Sequence, residues 1–327
     1  MRVLLTGANG FVGSHILDRL VAHECQVAIM LRRTSDTRFI QGQLCRVEVR
    51  YGTLESVRSL RAAMEGASVV VHCAGKTKAV RRREYYAVNA EGAGNVVAAC
   101  NASADTVSRL VLISSLAVSG PGTAERPAVE DASPRPVSVY GESKMLGERR
   151  VLQESRVPYT ILRPAAVYGP RDRDLYLAFR AVSRGWMPLV AGGRAGLSLV
   201  YARDVAQAVV VCMERQEARG GIYHVAHPVP WTQRTFLAQI ARELAVRPRR
   251  LRVPGAALYP VSLAQEVWAR ITGKPTVLNL QKIPEYTAPG WVCSTDRAAR
   301  ELGFMAQTDL EEGVRKTVDW YRSEGWL

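Results

Sequence analysis

Short apolar runs alternate with stretches of helical periodicity from the start of the chain to about residue 165. The runs are Val3–Leu5, Val27–Leu31, Val47–Val49, Val69–Cys73, Leu110–Ile113 and Tyr159–Leu162, each of strand length. Strands separated in this way by helices predict an α/β fold on a doubly wound parallel sheet, with a ligand at the carboxyl ends of the strands. After Pro170 the alternation breaks down, and a smaller attached lobe is expected. No internal repeat or low-complexity linker interrupts the chain.

The first strand leads into Thr6-Gly7-Ala8-Asn9-Gly10-Phe11-Val12-Gly13, and the following helix pattern gathers Phe11, Val12, Ile16, Leu17, Leu20 and Val21 on one face. Strand, glycine turn and helix come in the order that phosphate binding needs. Glycine permits the tight turn and lets backbone N–H groups approach a pyrophosphate, whose charge the helix N-terminus meets. The spacing Gly7-x-x-Gly10-x-x-Gly13 differs by one residue from the G-x-G-x-x-G fingerprint, and the same glycines would serve a plain strand–helix turn.

Further along, Tyr140-Gly141-Glu142-Ser143-Lys144 places a phenol and an ammonium four residues apart, on one face of a helix. A free tyrosine titrates near ~10, and a nearby cation favours the phenolate, each unit of lowering representing about 1.4 kcal/mol. Such a tyrosine exchanges a proton with a substrate oxygen while hydride moves at the carbon. The pair alone also arises on ordinary surface helices.

Other segments fall in order around these two. They are His72-Cys73-Ala74-Gly75, Val88-Asn89-Ala90-Glu91-Gly92, Ser114-Ser115-Leu116-Ala117-Val118, Arg163-Pro164-Ala165-Ala166-Val167-Tyr168-Gly169-Pro170, and Val205-Ala206 after Asp204. In this set the chain resembles the extended branch of the short-chain dehydrogenase/reductase family, which includes sugar-nucleotide epimerases, 3β-hydroxysteroid dehydrogenases and dihydroflavonol reductases. The resemblance covers nearly the whole length. It implies a Rossmann dinucleotide-binding domain over 1–168 and 198–223, interleaved with a substrate lobe over 169–197 and 224–327.

By position, the resemblance gives Ser115 the hydroxyl that holds the substrate oxygen and Tyr140 the acid/base role. Lys144 becomes the group that lowers the tyrosine's pKa and holds the nicotinamide ribose, and Asn89 a helix-start residue that orders the site. Ser114 and Ser115 would equally end a strand, and Asn89 would equally cap a helix. The cofactor is expected on Gly7, Asn9, Gly10, Phe11, Val12 and Gly13, on Thr53 and Leu54, and on Cys73, Ala74 and Gly75. Asn89, Ser114, Tyr140, Lys144, Pro164, Ala165 and Val167 complete that set. A homodimer through the helices bearing Asn89 and Tyr140 is implied by the resemblance alone.

Which nicotinamide is used can be argued from charge. An acidic residue about 20 positions past the glycine loop suits the ribose 2′-OH of NAD, whereas a 2′-phosphate wants arginine. Here Val27-Ala28-Ile29-Met30-Leu31 ends in Arg32-Arg33-Thr34-Ser35, with no carboxylate before Asp36. NADP(H) is therefore favoured over NAD(H), with Arg32 and Arg33 as the phosphate contacts. Solvated arginines at a strand end are the plain alternative. Thr53 stands where the family commonly has Asp beside the adenine.

The substrate class is narrowed by what is missing. Sugar-nucleotide members carry Asn where this chain has Ala166, and an Arg where it has Gly196-Leu197-Ser198-Leu199-Val200-Tyr201. Dehydratase members place an acidic pair after the catalytic hydroxyl, and here Leu116 and Ala117 follow Ser115. Plain hydride transfer between alcohol and ketone remains, on a bulky or lipophilic small molecule of steroid, lipid or flavonol type. A sugar epimerase and a dinucleotide-sensing or assembly protein are the competing readings. The second of these often lacks Tyr or Lys of the pair that is present here.

Composition changes this picture little, and charge somewhat more. With 327 residues and 47% hydrophobic content, the chain can bury a substantial core. Cysteines at 25, 45, 73, 100, 212 and 293 form no Cys-x-x-Cys pair, so they read as reduced core residues; no metal site is expected. His72, in an apolar strand, reads as packing. Met1 leads straight into the first strand and no apolar run reaches spanning length, so a cytoplasmic protein, soluble or peripheral to a membrane, is expected. The net charge of +14 suits an anionic partner, and no recognition motif accompanies it, which argues against nucleic acid. Lys76, Lys78, Arg81, Arg82 and Arg83, with Arg171 and Arg173, should border the substrate mouth. Arg242, Arg247, Arg249, Arg250 and Arg252 precede an amphipathic stretch, Val253–Ile271, which suits contact with an anionic bilayer or an ordinary solvated surface. The stretch Gly273–Trp291 is expected to line the pocket.

Overall fold

The apolar runs become strands in a computed structural model that describes residues 1–276 and 279–327. In chain order, β1 (Arg2–Thr6), α1 (Phe11–Ala22), β2 (Gln26–Leu31), β3 (Glu48–Tyr51), α2 (Val57–Ala63) and β4 (Val69–His72) open the fold. Then come α3 (Arg82–Tyr86), α4 (Gly92–Asn101), β5 (Arg109–Ile113), α5 (Val139–Glu154) and β6 (Tyr159–Pro164). The rest comprises β7 (Ala166–Tyr168), α6 (Tyr176–Ser183), β8 (Trp186–Val190), β9 (Gly196–Leu197), β10 (Leu199–Tyr201), α7 (Ala202–Glu214), β11 (Ile222–Val225) and β12 (Trp231–Thr232). It closes with α8 (Gln233–Glu243), β13 (Arg249–Val253), α9 (Leu258–Thr272), α10 (Ile283–Tyr286), β14 (Gly290–Trp291), α11 (Asp296–Leu302) and α12 (Leu310–Ser323).

Among the described residues, seven strands form one sheet in the order β3-β2-β1-β4-β5-β6-β11. Every pairing in it is parallel, with Leu5 opposite both Ile29 and Val71. Successive side chains on a strand point to opposite faces. Val3, Leu5, Ile29 and Val71 therefore pack with Ile16 and Leu17 of α1 and Val205 and Val209 of α7, while Leu4, Met30 and Val70 pack with Leu60 of α2 and Val96 and Val97 of α4. Because both faces are covered, the strands read as continuous apolar runs rather than alternating ones. Each fully buried Leu, Ile or Val contributes about 1.5–3 kcal/mol. This is the doubly wound α/β fold expected from the sequence, and its strand order reverses between β1 and β4, where a crevice opens.

Beyond β6 the chain leaves the sheet. β7 pairs with β10, β8 with β13, and β9 with both β12 and β14. Phe179, Phe236, Tyr168 and Tyr321 gather into a separate aromatic core under α6, α8 and α12. Residues 198–223 were expected to return to the sheet: α7 packs on its face and β11 forms its edge, running on to Val225. β10 instead pairs with β7, because the chain peels away from the sheet at Ala165 and the short strand that follows needs its own partner. Among the described residues, no helix is long and apolar enough to cross a membrane.

Candidate active site

The crevice begins at the glycine turn after β1. Gly7 has φ +75°, and a Cβ there would stand 2.5 Å from the Ala74 nitrogen. A Cβ on Gly13 would stand 2.0 Å from the Gly7 carbonyl oxygen, so any side chain would push α1 off the turn. Gly10 caps α1 with extended backbone and no side-chain bond, and the first turn holds no carboxylate, which leaves the helix N-terminus suited to an anion.

From this turn a cleft of about 570 Å³ runs across the ends of β1, β4, β5 and β6. Gly7, Asn9, Gly10, Phe11, Val12 and Gly13 border one end. Cys73, Gly75, Ser114, Ser115, Tyr140 and Lys144 border the middle, with Pro164, Ala165 and Val167 beyond them. Segments far apart in sequence thus meet in one cavity of a size usual for ligand sites.

Tyr140 sits in the first turn of α5, where the Ser138 hydroxyl caps the helix by accepting from the Gly141 N–H at 3.1 Å and donates to Glu285. Ser115 precedes a short turn and stays half-buried beside the phenol, its oxygen accepting from the Ala117 N–H at 3.1 Å. One turn after Tyr140, the Lys144 ammonium donates to the carbonyl at the end of β5, Ile113, at 2.6 Å. Burial pulls Lys144 down to about 8. Burial likewise pushes the Tyr140 phenol up to about 12, opposed chiefly by its hydrogen bond with Ser115. The expected lowering of the tyrosine by Lys144 is therefore not what this geometry gives: the cation is turned to a backbone carbonyl, and desolvation dominates the phenol. A protonated phenol at neutral pH is equipped to donate a proton.

Asn89 is not a helix start. It lies inside a π-helical turn, Ala87–Glu91, that joins α3 to α4. Its amide accepts from the Lys76 N–H at 2.8 Å and donates to the Lys76 carbonyl at 3.0 Å and to the Ser143 hydroxyl at 2.9 Å. Ser143 in turn donates to the Tyr140 carbonyl at 2.7 Å. Asn89 therefore ties the loop after β4 to the helix that carries Tyr140, a use of a π-turn often seen at functional sites.

The remaining expected contacts stand back from the cleft lining. Arg32 and Arg33 are exposed at the end of β2, with Arg33 lying over the Tyr51 ring at 4.9 Å. Asp36 borders the cleft instead, paired with Arg38 at 2.8 Å. Thr53 bonds through its N–H to Ser59, Leu54 accepts from Asn95 at 2.8 Å, and Ala74 packs against Gly7. None of the described residues of Gly273–Trp291 borders the main cleft; Val277 and Leu278 lie outside the described residues. The expected basic rim is partly neutralised: Lys76 pairs with Glu84, Lys78 with Asp174, and Arg171 with Asp18 at 2.7 Å. Cys100, Cys212 and Cys293 are buried, whereas Cys45 is exposed, so not every cysteine is a core residue.

Sequence reasoning missed a buried polar chain beside the site. Glu148, a turn beyond Lys144, holds Arg163 of β6 through both carboxylate oxygens, the shortest contact 2.7 Å, and accepts from Ser114. Arg163 also donates to Ser119, which bonds His224 at 2.7 Å. The recurrence of Tyr140, Lys144 and Glu148 at steps of four was the available signal.

The sequence profile of the NAD dependent epimerase/dehydratase family matches residues 3–226. The chain is 28% identical to a ceramide reductase of Caulobacter vibrioides, over 99% of this chain and 96% of that protein. It is 26% identical to the human sterol-4-alpha-carboxylate 3-dehydrogenase, decarboxylating, over 98% and 88% of the two chains. Among solved structures it superposes on the UDP-glucose 4-epimerase of Thermus thermophilus in complex with NAD with TM-score 0.78 and 24% identity, covering 98% of this chain and 99% of that one. That last likeness concerns the fold.

Proposed function

Because the chain belongs to the NAD dependent epimerase/dehydratase family, we propose that it is a nicotinamide-dependent oxidoreductase, interconverting a secondary alcohol and a ketone on a bulky, lipophilic molecule. The observation that carries this reading is the meeting of Ser115, Tyr140 and Lys144 with the glycine turn in one cleft. Relatives named for reduction of a ceramide and dehydrogenation of a sterol favour a lipid-like substrate, and Ala166 in place of the sugar-nucleotide Asn agrees.

The cleft fits a dinucleotide. Positions 7 and 13 exclude any side chain, and the α1 N-terminus is open to a pyrophosphate. A bound nicotinamide would supply or accept hydride. Ser115 holds the substrate oxygen, and Tyr140 donates the proton to it on reduction. Lys144, fixed between the Ile113 carbonyl and the cleft, holds the ribose. Asn89 keeps the Tyr140 helix and the loop after β4 in register. We assign the dinucleotide to 1–168 and 198–223 and the substrate to the remaining lobe, and we expect a homodimer through the Asn89 and Tyr140 helices.

NADP(H) is the favoured nucleotide. Among the described residues, neither Arg32 nor Arg33 at the end of β2 pairs with a carboxylate, Arg33 lies over the Tyr51 ring, and Asp36 is held by Arg38. Calorimetric titration of the protein and of Arg32→Asp with NADP⁺ and NAD⁺ tests this. Selective NADP⁺ binding that collapses in the variant supports the assignment. Preference for NAD⁺, or NAD retained through purification, moves the reading toward an epimerase.

A further inference from the structure

Helix α9 carries its hydrophobicity on the wrong side for a protein surface. Leu258, Ser262 and Ala269 face inward and are buried. The outward side presents Leu263, Val267, Trp268 and Ile271, with Ile271 76% and Trp268 62% exposed. A helix packed on a globular core by one face ordinarily turns polar residues to water, and contiguous exposed apolar patches mark interaction sites.

What would cover this face is argued from the charge of the chain segment that carries it. Between Ala245 and Thr276 the chain carries Arg247, Arg249, Arg250, Arg252, Arg270 and Lys274 against the carboxylate of Glu266, which is bound to Arg270 at 2.8 Å. Arg249, Arg250 and Arg252 are exposed on the β13 strand that leads into α9, where Leu251 is also exposed. A second copy of the chain would bring the same cations to the same place. An anionic bilayer meets both features at once: its headgroups take the arginines, and its acyl boundary takes the apolar side chains.

We propose that α9 and β13 form a docking surface for an anionic lipid bilayer, with Leu263, Val267, Trp268 and Ile271 inserted at the acyl boundary and the β13 arginines on the headgroups. The inference deepens the lipophilic-substrate reading and rests on it for its purpose. The docked helix is also linked to the reaction centre. α9 packs on the segment that continues into α10, where Glu285 accepts from Ser138, the cap of the helix carrying Tyr140. A lipid leaving the bilayer at α9 would therefore start beside the elements that frame the cleft.

The test is flotation of the full chain with vesicles of phosphatidylcholine alone and of phosphatidylcholine with phosphatidylglycerol. Turnover of a short, water-soluble ketone is measured in parallel. The wild type is expected to float with the anionic vesicles and to release at high salt. Val267→Glu combined with Ile271→Glu, and separately Arg250→Glu combined with Arg252→Glu, should each weaken flotation roughly tenfold or more, with soluble-ketone turnover unchanged. Wild type that stays with the unbound protein, or variants that float as the wild type does, would overturn the proposal. So would a concentration-dependent dimer that the Val267→Glu/Ile271→Glu variant abolishes, since a second copy would then cover the face. Failure of flotation with ketone turnover intact removes the docking surface and leaves the oxidoreductase; flotation without turnover of any ketone does the reverse.

Discussion

At the scale of single residues, burial decides the chemistry more than neighbouring charge does. Tyr140 and Lys144 move toward their neutral forms, the phenol up to about 12 and the amine down to about 8, because desolvation penalises each charged state. His72 obeys the same rule: buried and bonded to Thr6 at 2.7 Å, it is pulled from 6.5 to about 3, chiefly by desolvation and then by Lys144. A histidine that resists protonation when folded binds its proton more readily when unfolded. The stability it contributes is therefore present above pH 6.5 and is lost as pH falls toward 3, at up to about 1.4 kcal/mol per pH unit. Urea unfolding followed between pH 7 and pH 4 should show a shallower loss of stability in His72→Gln than in the wild type. Equal slopes would mean that His72 is not held neutral.

At the scale of elements, the site depends on how α5 is fixed to the sheet. Glu148 and Arg163 are both about 2% exposed and satisfy each other across α5 and β6. Removing one partner leaves an uncompensated buried charge, at a cost of about 3–5 kcal/mol. Arg163→Met should therefore lower the unfolding midpoint sharply, and Glu148→Gln added to it should restore part of the loss; a midpoint unchanged in Arg163→Met would contradict the pairing. The strands were legible in the sequence because both sheet faces are covered, so each strand appears as an unbroken apolar run. The glycine turn and the Tyr140/Lys144 step were legible because local spacing fixes them. The Glu148–Arg163 pair was not, since it joins residues on different elements whose approach only the folded sheet determines. The tie that Asn89 makes was missed for a related reason: its side-chain amide bonds Lys76 and Ser143, on elements whose approach only the fold determines.

At the scale of the whole molecule, one parallel sheet brings a glycine turn, the Ser115 hydroxyl, the Tyr140 phenol and the buried Lys144 amine to a common cleft, and a helix with an exposed apolar face lies on the adjoining segments. Sheet topology explains the cleft, because the strand order reverses between β1 and β4. The second lobe was the least legible part. Its strands are short and pair with segments distant in sequence, β9 with both β12 and β14, so their sequence carries neither a long apolar run nor a fixed period. On the proposed reading, this cleft reduces a lipophilic ketone with Tyr140 as proton donor. That reading is tested most directly by following nicotinamide oxidation by the wild type and by Tyr140→Phe, with NADPH and NADH, against long-chain and steroid ketones in mixed micelles, with nucleotide affinity measured on both proteins. Turnover is expected in the wild type and a loss of about 10²–10⁴-fold in the variant, with nucleotide affinity nearly unchanged. Turnover by Tyr140→Phe at the wild-type rate, or a nucleotide-bound wild type that reduces none of these ketones, would contradict the reading.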